Sequence, residues 1–171
     1  MKICTFLLAI LFIITSCNEV ANKMVVDEKT GNQMLVGITD RNAFELPDFS
    51  EWYNYEYTRY EPDKFIVKQI QKLSDSIDIQ IFMGTWCSDS RREVPRFIKI
   101  LDLSKFDQNK IQIINLNREK KSPGHEENDK NIEFIPTFII NKNNNEIGRI
   151  VEFPIITLES DLFIILLEAE L

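Results

Sequence analysis

The clearest alternation of apolar and polar residues begins at Pro62 and continues to the end of the chain. Pro62-Asp63 opens a segment in which Ile66, Ile70 and Leu73 recur at helical spacing. The predicted order is this first helix, a strand over Ile77–Met83, a helix with Val94, Phe97, Ile98 and Leu101 on one face, and an isoleucine-rich strand over 110–116. The last run is typical of a buried parallel strand.

The remainder of this region predicts a hairpin and a final helix. Residues 117–131 are polar and predict a loop with at most one short helix. Strands over 137–141 and 146–153 are joined by an asparagine-rich turn, which indicates a hairpin. Thr157 can cap a helix with Leu158, Leu162, Ile165 and Leu166 on one face. Parallel units followed by a hairpin predict an α/β sandwich with helices on both faces of the sheet.

The first 61 residues divide into three segments by pattern. Residues 17–32 lack periodicity and predict a tether, and residues 33–61 predict an extension packed on the domain at 62–171. Met34 to Ile38 fits a short strand. The aromatic segment 49–60 fits a short helix and an extended segment equally well. It is either a ligand platform or a cap over one sheet edge, and packing is favoured because large aromatic residues mostly serve burial.

The N-terminus has the pattern of an export signal. Lys2 precedes an apolar run over 3–14, which is short for a membrane span. Ile14-Thr15-Ser16-Cys17 resembles the lipobox of bacterial lipoproteins, in which the signal is cut before the cysteine and the cysteine is acylated. The resemblance implies removal of residues 1–16, lipidation of Cys17 and a lipid-anchored protein of the bacterial cell envelope, with its domain outside the cytoplasm. A plain signal peptide or an uncleaved anchor fits less well, because small residues lead directly into Cys17.

Charge narrows the classes of partner. The chain has 171 residues and a net charge of −7; without residues 1–16, which carry the positive charge of Lys2, 155 residues remain at −8. That length suits one domain with a proper core. An acidic surface argues against nucleic-acid binding, which needs a basic footprint.

The cysteine count makes Cys87 the residue of interest. With Cys4 removed and Cys17 lipidated, Cys87 is the remaining thiol, and no internal disulfide is expected. An unpaired thiol in an oxidising compartment is a liability, so its presence indicates use, although a buried inert thiol stays an alternative. His125 lies in a polar loop, which disfavours a Cys–His hydrolase. No spacing suits a metal site, so neither metal nor cofactor is expected.

Several landmarks from Pro62 to Leu171 resemble the thioredoxin superfamily. Trp86-Cys87-Ser88-Asp89-Ser90 follows the predicted central strand, Pro95 lies eight residues beyond the cysteine, and Ile135-Pro136-Thr137 precedes the hairpin. The resemblance implies a thioredoxin-like three-layer sandwich, with a central mixed β-sheet and helices on both faces. It also implies a cis peptide bond before Pro136, and a substrate groove formed by Trp86, Ile135, Pro136 and Thr137.

The predicted site differs from the family pattern at two positions that serve the second half of the exchange reaction, and also at Asp89, which stands in place of a common proline. Ser90 stands where the second cysteine would be, and Ile81 replaces the usual buried acid. Ser90 either caps the helix through a capping box with Glu93 or donates a hydrogen bond to the Cys87 thiolate. In neither role can it resolve a mixed disulfide.

Three charged neighbours are expected to tune the thiolate. A cysteine at a helix N-terminus is stabilised as thiolate by the helix dipole. Arg91 and Arg92 lower the pKa and Asp89 raises it, so we expect a modest decrease.

Two functions follow from this interpretation. The first is a membrane-anchored monothiol protein that exchanges disulfides through a mixed disulfide at Cys87, with protein or low-molecular-weight thiols and disulfides as partners. The alternative is a redox-inactive module that binds extended peptides or a partner protein at the cis-proline groove.

Overall fold

The computed structural model describes residues 22–170. The predicted signal peptide and Cys17 lie outside these residues. The strands are β1 (Met24–Val26), β2 (Gln33–Leu35), β3 (Gly37–Thr39), β4 (Ile77–Met83), β5 (Ile111–Asn115), β6 (Thr137–Lys142) and β7 (Asn145–Val151). The helices are α1 (Pro47–Arg59), α2 (Lys64–Leu73), α3 (Ser88–Leu103) and α4 (Leu158–Glu168).

The central sheet is mixed and has five strands in the order β3-β5-β4-β6-β7. Strands β4 and β5 are parallel, whereas the pairs β3–β5, β4–β6 and β6–β7 are antiparallel. The predicted strand Ile77–Met83 and the parallel pairing of the isoleucine-rich strand are confirmed. The fold is therefore a mixed α/β fold of the thioredoxin-like type.

Strand β4 separates two apolar clusters because its side chains alternate between the faces of the sheet. Ile77, Ile79, Ile81 and Met83 pack in one large cluster, to which all four helices contribute. Phe82 lies in a second, smaller cluster. Ile132 from the polar segment after β5, together with Trp86 and Cys87, packs against this second cluster. The layering thus differs from the expectation of helices on both faces: within residues 22–170 the second face is covered by a loop.

The N-terminal part differs from the expected tether. Residues 24–35 form an antiparallel hairpin, β1–β2, whose turn is closed by bonds from Thr30 N and Gly31 N to Asp27 O. Gly31 adopts a φ of +75°, which glycine accepts without strain. Each strand has three residues, too few for a periodic pattern to appear in the sequence. The strand expected near 34–38 is split in two at Val36, between β2 and β3.

The aromatic segment forms helix α1, and its aromatic residues are used in packing. Phe49 and Tyr53 are buried, and Tyr53 stacks on Phe44 at 4.9 Å between ring centroids. Helix α1 packs mainly against α3, and not over a sheet edge. The packing interpretation is therefore the one the structure supports.

Local signals set the ends of the later elements. Asp63 caps α2 by accepting from Phe65 N and Ile66 N, and Thr157 caps α4 by accepting from Ser160 N. Asn143 and Asn144 have φ values of 52° and 65°, as a two-residue hairpin turn requires. Over residues 22–170, helices capable of crossing a bilayer are not found.

Candidate functional site

The turn between β4 and α3 places Cys87 at the start of a helix. Cys87 N donates to Gly84 O at 2.9 Å, and Arg91 N donates to Cys87 O at 3.0 Å as the helix begins. Cys87 is the N-cap residue of α3, and its side chain makes no capping bond. The first N–H groups of a helix have no partner within it, so the turn holds the sulfur at the positive end of the helix dipole.

The Cys87 thiol faces the loop before β6. Its side chain is half-buried, and Sγ donates to Ile135 O at 3.5 Å. The Ile135–Pro136 peptide bond is cis, as the resemblance implied. Pro136 O accepts from Glu152 N at 2.7 Å, and Thr137 Oγ1 donates to Phe134 O at 2.7 Å. The loop is thereby held against β7 with the Ile135 carbonyl directed at the sulfur.

Trp86 lies across the ends of β4 and β5. Its indole Nε1 donates to Leu116 O at 2.8 Å. The guanidinium of Arg118 lies 4.9 Å from the centroid of the indole ring. A Cβ atom on Gly84 would stand 2.7 Å from Trp86 Nε1 and 2.9 Å from Ile135 Cδ1, so only glycine leaves room for both side chains. Of the predicted groove residues, Trp86 is half-buried, whereas Ile135, Pro136 and Thr137 are buried.

The capping box predicted for Ser90 is wrong. Helix α3 begins at Ser88, so Ser90 lies inside the first turn and is fully buried. Its Oγ accepts from Gly84 N at 3.3 Å. The hydroxyl is therefore bonded to the strand end below it, and among the described residues it makes no hydrogen bond with Cys87 Sγ.

The two arginines beside the site have other partners. Arg91 Nε donates to Thr85 O, and its guanidinium lies 5.7 Å from the Trp52 ring centroid. Arg92 pairs with Asp89 at 3.0 Å and also with Glu93. In the part of the chain that the structure describes, neither guanidinium donates to the Cys87 sulfur. Their effect on the thiolate is thus limited to longer-range charge, which the Arg92–Asp89 pair partly cancels.

Ile81 and His125 are the two positions at which the sequence raised the question of acid–base chemistry. Ile81 is buried in the large cluster on the helix-covered face. His125 has a 70% exposed side chain in the segment after β5, with its Nδ1 3.9 Å from a Glu127 oxygen. Residues 22–170 contain no group of three or more histidine, cysteine or acidic residues arranged to hold a metal.

Sequence reasoning missed Leu35 and Arg118, which contact this turn, and Asp27, which binds Arg118. Leu35 N donates to Thr85 Oγ1 at 3.1 Å, which ties strand β2 to the turn. Asp27 binds Arg118 through two hydrogen bonds of 2.7 Å. A weak signal for Arg118 was present in the sequence, since it lies two residues after the end of a predicted parallel strand, where site residues cluster.

The comparisons with known proteins agree with this architecture. A family model described as thioredoxin matches residues 49–160. The fold and the turn define a thioredoxin-like protein, and the chain belongs to the thioredoxin family.

The family match begins inside α1, so the hairpin β1–β2 lies outside it. The similar solved structures include the following two. One is a protein of unknown function from Pseudomonas aeruginosa, with a TM-score of 0.48 and 15% identity over 71% of this chain and 81% of that one. The other is an HIV epitope scaffold, with a TM-score of 0.47 and 16% identity over the same shares. No curated protein matches the chain significantly.

Proposed function

We propose that this protein takes part in thiol–disulfide exchange through a mixed disulfide at Cys87. The observation that carries the proposal is the position of the sulfur. It is half-buried at the N-cap of α3 and 3.5 Å from the carbonyl oxygen of the cis-proline loop. Thioredoxin-family membership supports a redox role for a cysteine so placed.

The chemistry requires one thiol on the protein and one from outside. The Cys87 thiolate attacks one sulfur of a substrate disulfide, a Cys87–substrate disulfide forms, and the second substrate sulfur leaves as a thiolate that takes up a proton. An external thiolate then attacks the substrate sulfur of the mixed disulfide and releases Cys87. A dithiol site would resolve the intermediate internally at high effective concentration. Since Ser90 supplies no sulfur, the second step depends on the concentration of the external thiol.

We propose that this chemistry takes place at a membrane, outside the cytoplasm. Its support is the lipobox-like Ile14-Thr15-Ser16-Cys17, with lipidation at Cys17 as the anchor. One acyl chain binds membranes only reversibly, whereas two or more anchor stably. Metabolic labelling with an alkyne fatty acid should label the wild-type chain and leave Cys17→Ser unlabelled; equal labelling of both would contradict the anchor.

A second candidate is a redox-inactive module that binds extended peptides at the same loop. Two observations favour it. The thiol donates its hydrogen to the Ile135 carbonyl, which suits the protonated sulfur, and both nearby arginines are engaged elsewhere. In this alternative the buried residues Ile135 to Thr137 would offer backbone groups to a peptide, and Cys87 would serve only in packing.

Glutathione disulfide distinguishes the two candidates. The full-length protein is incubated with it, and the modified residue is located by peptide mass spectrometry. We expect one glutathionyl adduct on Cys87 that added thiol removes, and no adduct at this position in Cys87→Ser. Reaction of Cys87 only after unfolding in urea would overturn the exchange function and favour the binding module.

A Ser90→Cys variant tests whether only the resolving sulfur is absent. We expect an internal disulfide to form between Cys87 and the sulfur introduced at position 90. We also expect the variant to reduce peptide disulfides over many turnovers when a thiol reductant recycles it. The matched control is Ser88→Cys, which adds a thiol at the first residue of α3. Equal turnover by both variants would contradict the idea that position 90, and not position 88, places a resolving sulfur within reach of Cys87.

A further inference from the structure

The N-terminal hairpin contacts the cysteine turn through two separate links. The first is the bond from Leu35 N to Thr85 Oγ1, 3.1 Å long and buried. The second passes from Asp27 in the β1–β2 turn to Arg118 and then to the Trp86 ring. Both links begin in the N-terminal hairpin, and they end at Thr85 and Trp86, the two residues immediately before Cys87.

Arg118 is held by Asp27 in a defined orientation. Its Nε and one terminal nitrogen each donate to a different oxygen of Asp27, so the guanidinium plane is fixed as well as its charge. Asp27 is 2% exposed and also accepts from Thr30 Oγ1 at 2.7 Å. The hydrogen bonds from Arg118 and Thr30 lower the pKa of Asp27 far below its usual range, against the opposing effect of burial. The acceptor therefore remains charged across the physiological range.

The fixed guanidinium covers one face of the Trp86 indole, whose Nε1 is bonded to Leu116 O. The indole is thus restrained at its face and at its edge. Trp86 precedes Cys87 directly, so its orientation shapes the approach to the sulfur.

We infer that Arg118 is a positioning residue for the Cys87 site. Clamped by Asp27, it holds the Trp86 indole beside the cysteine turn and makes the N-terminal hairpin a structural part of the site. The inference rests on the proposed function only for its consequence in catalysis. If Cys87 exchanges disulfides, the fixed Trp86 indole gives an extended peptide disulfide a defined surface to pack against. A small reagent reaches the sulfur without this contact.

Fluorine NMR of the full chain labelled with 5-fluorotryptophan tests the contact. The chain has two tryptophans, and Trp52→Phe assigns the two resonances. Arg118→Lys keeps the positive charge but not the planar stack, and Asp27→Asn keeps the shape of the clamp but not its charge. We expect both variants to shift the Trp86 resonance and to leave that of Trp52 in place.

Arg149→Lys is the matched control, because Arg149 also donates through Nε and a terminal nitrogen to one carboxylate, that of Glu146. It should leave the Trp86 resonance unchanged. An unshifted Trp86 resonance in both Arg118→Lys and Asp27→Asn would overturn the inference, as would an equal shift in Arg149→Lys. If one of the two test variants fails to fold, the other gives the result.

A second measurement tests the consequence for exchange. In Arg118→Lys, the rate of Cys87 with a peptide disulfide should fall about two- to fivefold, the size of one exposed cation–π contact. The rate of alkylation by iodoacetamide should stay the same. An equal fall with both reagents would indicate a general structural effect and contradict positioning. Absence of any Cys87 adduct together with a shifted Trp86 resonance would overturn the exchange function alone.

Discussion

At the scale of single residues, the site depends on the absence of a side chain at position 84. Gly84 lets the Trp86 indole and the Ile135 side chain meet over the end of β4. It also donates its N–H to Ser90 Oγ. The side chains of Trp86, Ile135 and Ser90 therefore all lie close to the Gly84 backbone.

Gly84→Ala should destabilise the protein by about 1–3 kcal/mol, the usual cost of overpacking. The added Cβ would meet Trp86 and Ile135 inside normal contact distance; the Trp86 indole is held by its bond to Leu116 O, and Ile135 is buried. Urea unfolding followed by circular dichroism measures the change. The control is Gly124→Ala, for which the three atoms nearest to the added Cβ all belong to the flexible end of the Glu126 side chain. A loss in Gly124→Ala as large as that in Gly84→Ala would contradict the packing explanation.

At the scale of elements, the segment between β5 and β6 is a loop that a buried carboxylate, that of Glu127, holds in place. Glu127 Oε2 accepts from Ser122 N at 3.1 Å and from Ser122 Oγ at 2.5 Å. Lys121 Nζ lies 3.5 Å from the other oxygen. Burial raises the pKa of Glu127, but the hydrogen bonds from Ser122 and Lys121 outweigh it and lower the pKa from 4.5 to about 2.

Glu127→Gln should therefore cost stability at neutral pH, about 1.5–3 kcal/mol for hydrogen bonds to a charged group. A lowered folded-state pKa means that the contribution is complete above pH 4.5 and is lost as the pH falls towards about 2. The difference in unfolding free energy between wild type and variant should shrink across that interval. Glu119, in the same segment, supplies the control, Glu119→Gln. A difference that stays constant with pH would show that the charge of Glu127 is not the cause.

At the scale of the whole molecule, two tyrosines join α1 to other helices: Tyr57 within α1 bonds to α3, and Tyr60 at the C-terminal end of α1 bonds to α4. Tyr57 Oη donates to Asp102 Oδ2 in α3 at 2.7 Å, and Tyr60 Oη donates to Glu159 Oε2 in α4 at 2.5 Å. Arg41 also binds Asp102 through two bonds of 2.7 Å. Burial, and then the hydrogen bond to Asp102, raise the pKa of Tyr57 to about 12. Burial and Glu159 raise the pKa of Tyr60 still further.

The fold should consequently lose stability in alkali. A raised folded-state pKa keeps the contribution of Tyr57 complete below pH 10 and removes it as the pH rises to about 12. Tyr57→Phe should cost about 1 kcal/mol at pH 7 for one hydrogen bond and then decline less steeply above pH 10. Urea unfolding from pH 7 to 11.5 measures both effects, with exposed Tyr55→Phe as the control. Parallel curves for wild type and Tyr57→Phe would contradict this assignment.

Much of the fold was predictable because its signals are local. The apolar run of β4, the helical spacing after Cys87, the asparagine turn and the caps at Asp63 and Thr157 each act over a few residues, and each element is found where it was expected. The cis bond before Pro136 followed from family resemblance. The position of Cys87 at a helix start was therefore readable from the chain.

Ser90 and the hairpin show where local signals end. The Ser90-Arg91-Arg92-Glu93 pattern predicts a cap at Ser90, but the turn from Gly84 to Cys87 starts the helix three residues earlier, and the Ser90 hydroxyl accepts from Gly84 N instead. The hairpin β1–β2 has strands of three residues and owes its position to distant contacts.

The order of residues was enough to predict the strand-to-helix turn with Cys87 in it and the succession of thioredoxin elements, because spacing and capping are properties of neighbouring residues. Packing in three dimensions was needed to show that all four helices bury residues on one face of the sheet. It was also needed to show that Asp27 and Arg118, 91 positions apart, meet above Trp86. Contacts at that separation leave no periodic trace in the chain, since they arise only when the packed core brings the two segments together.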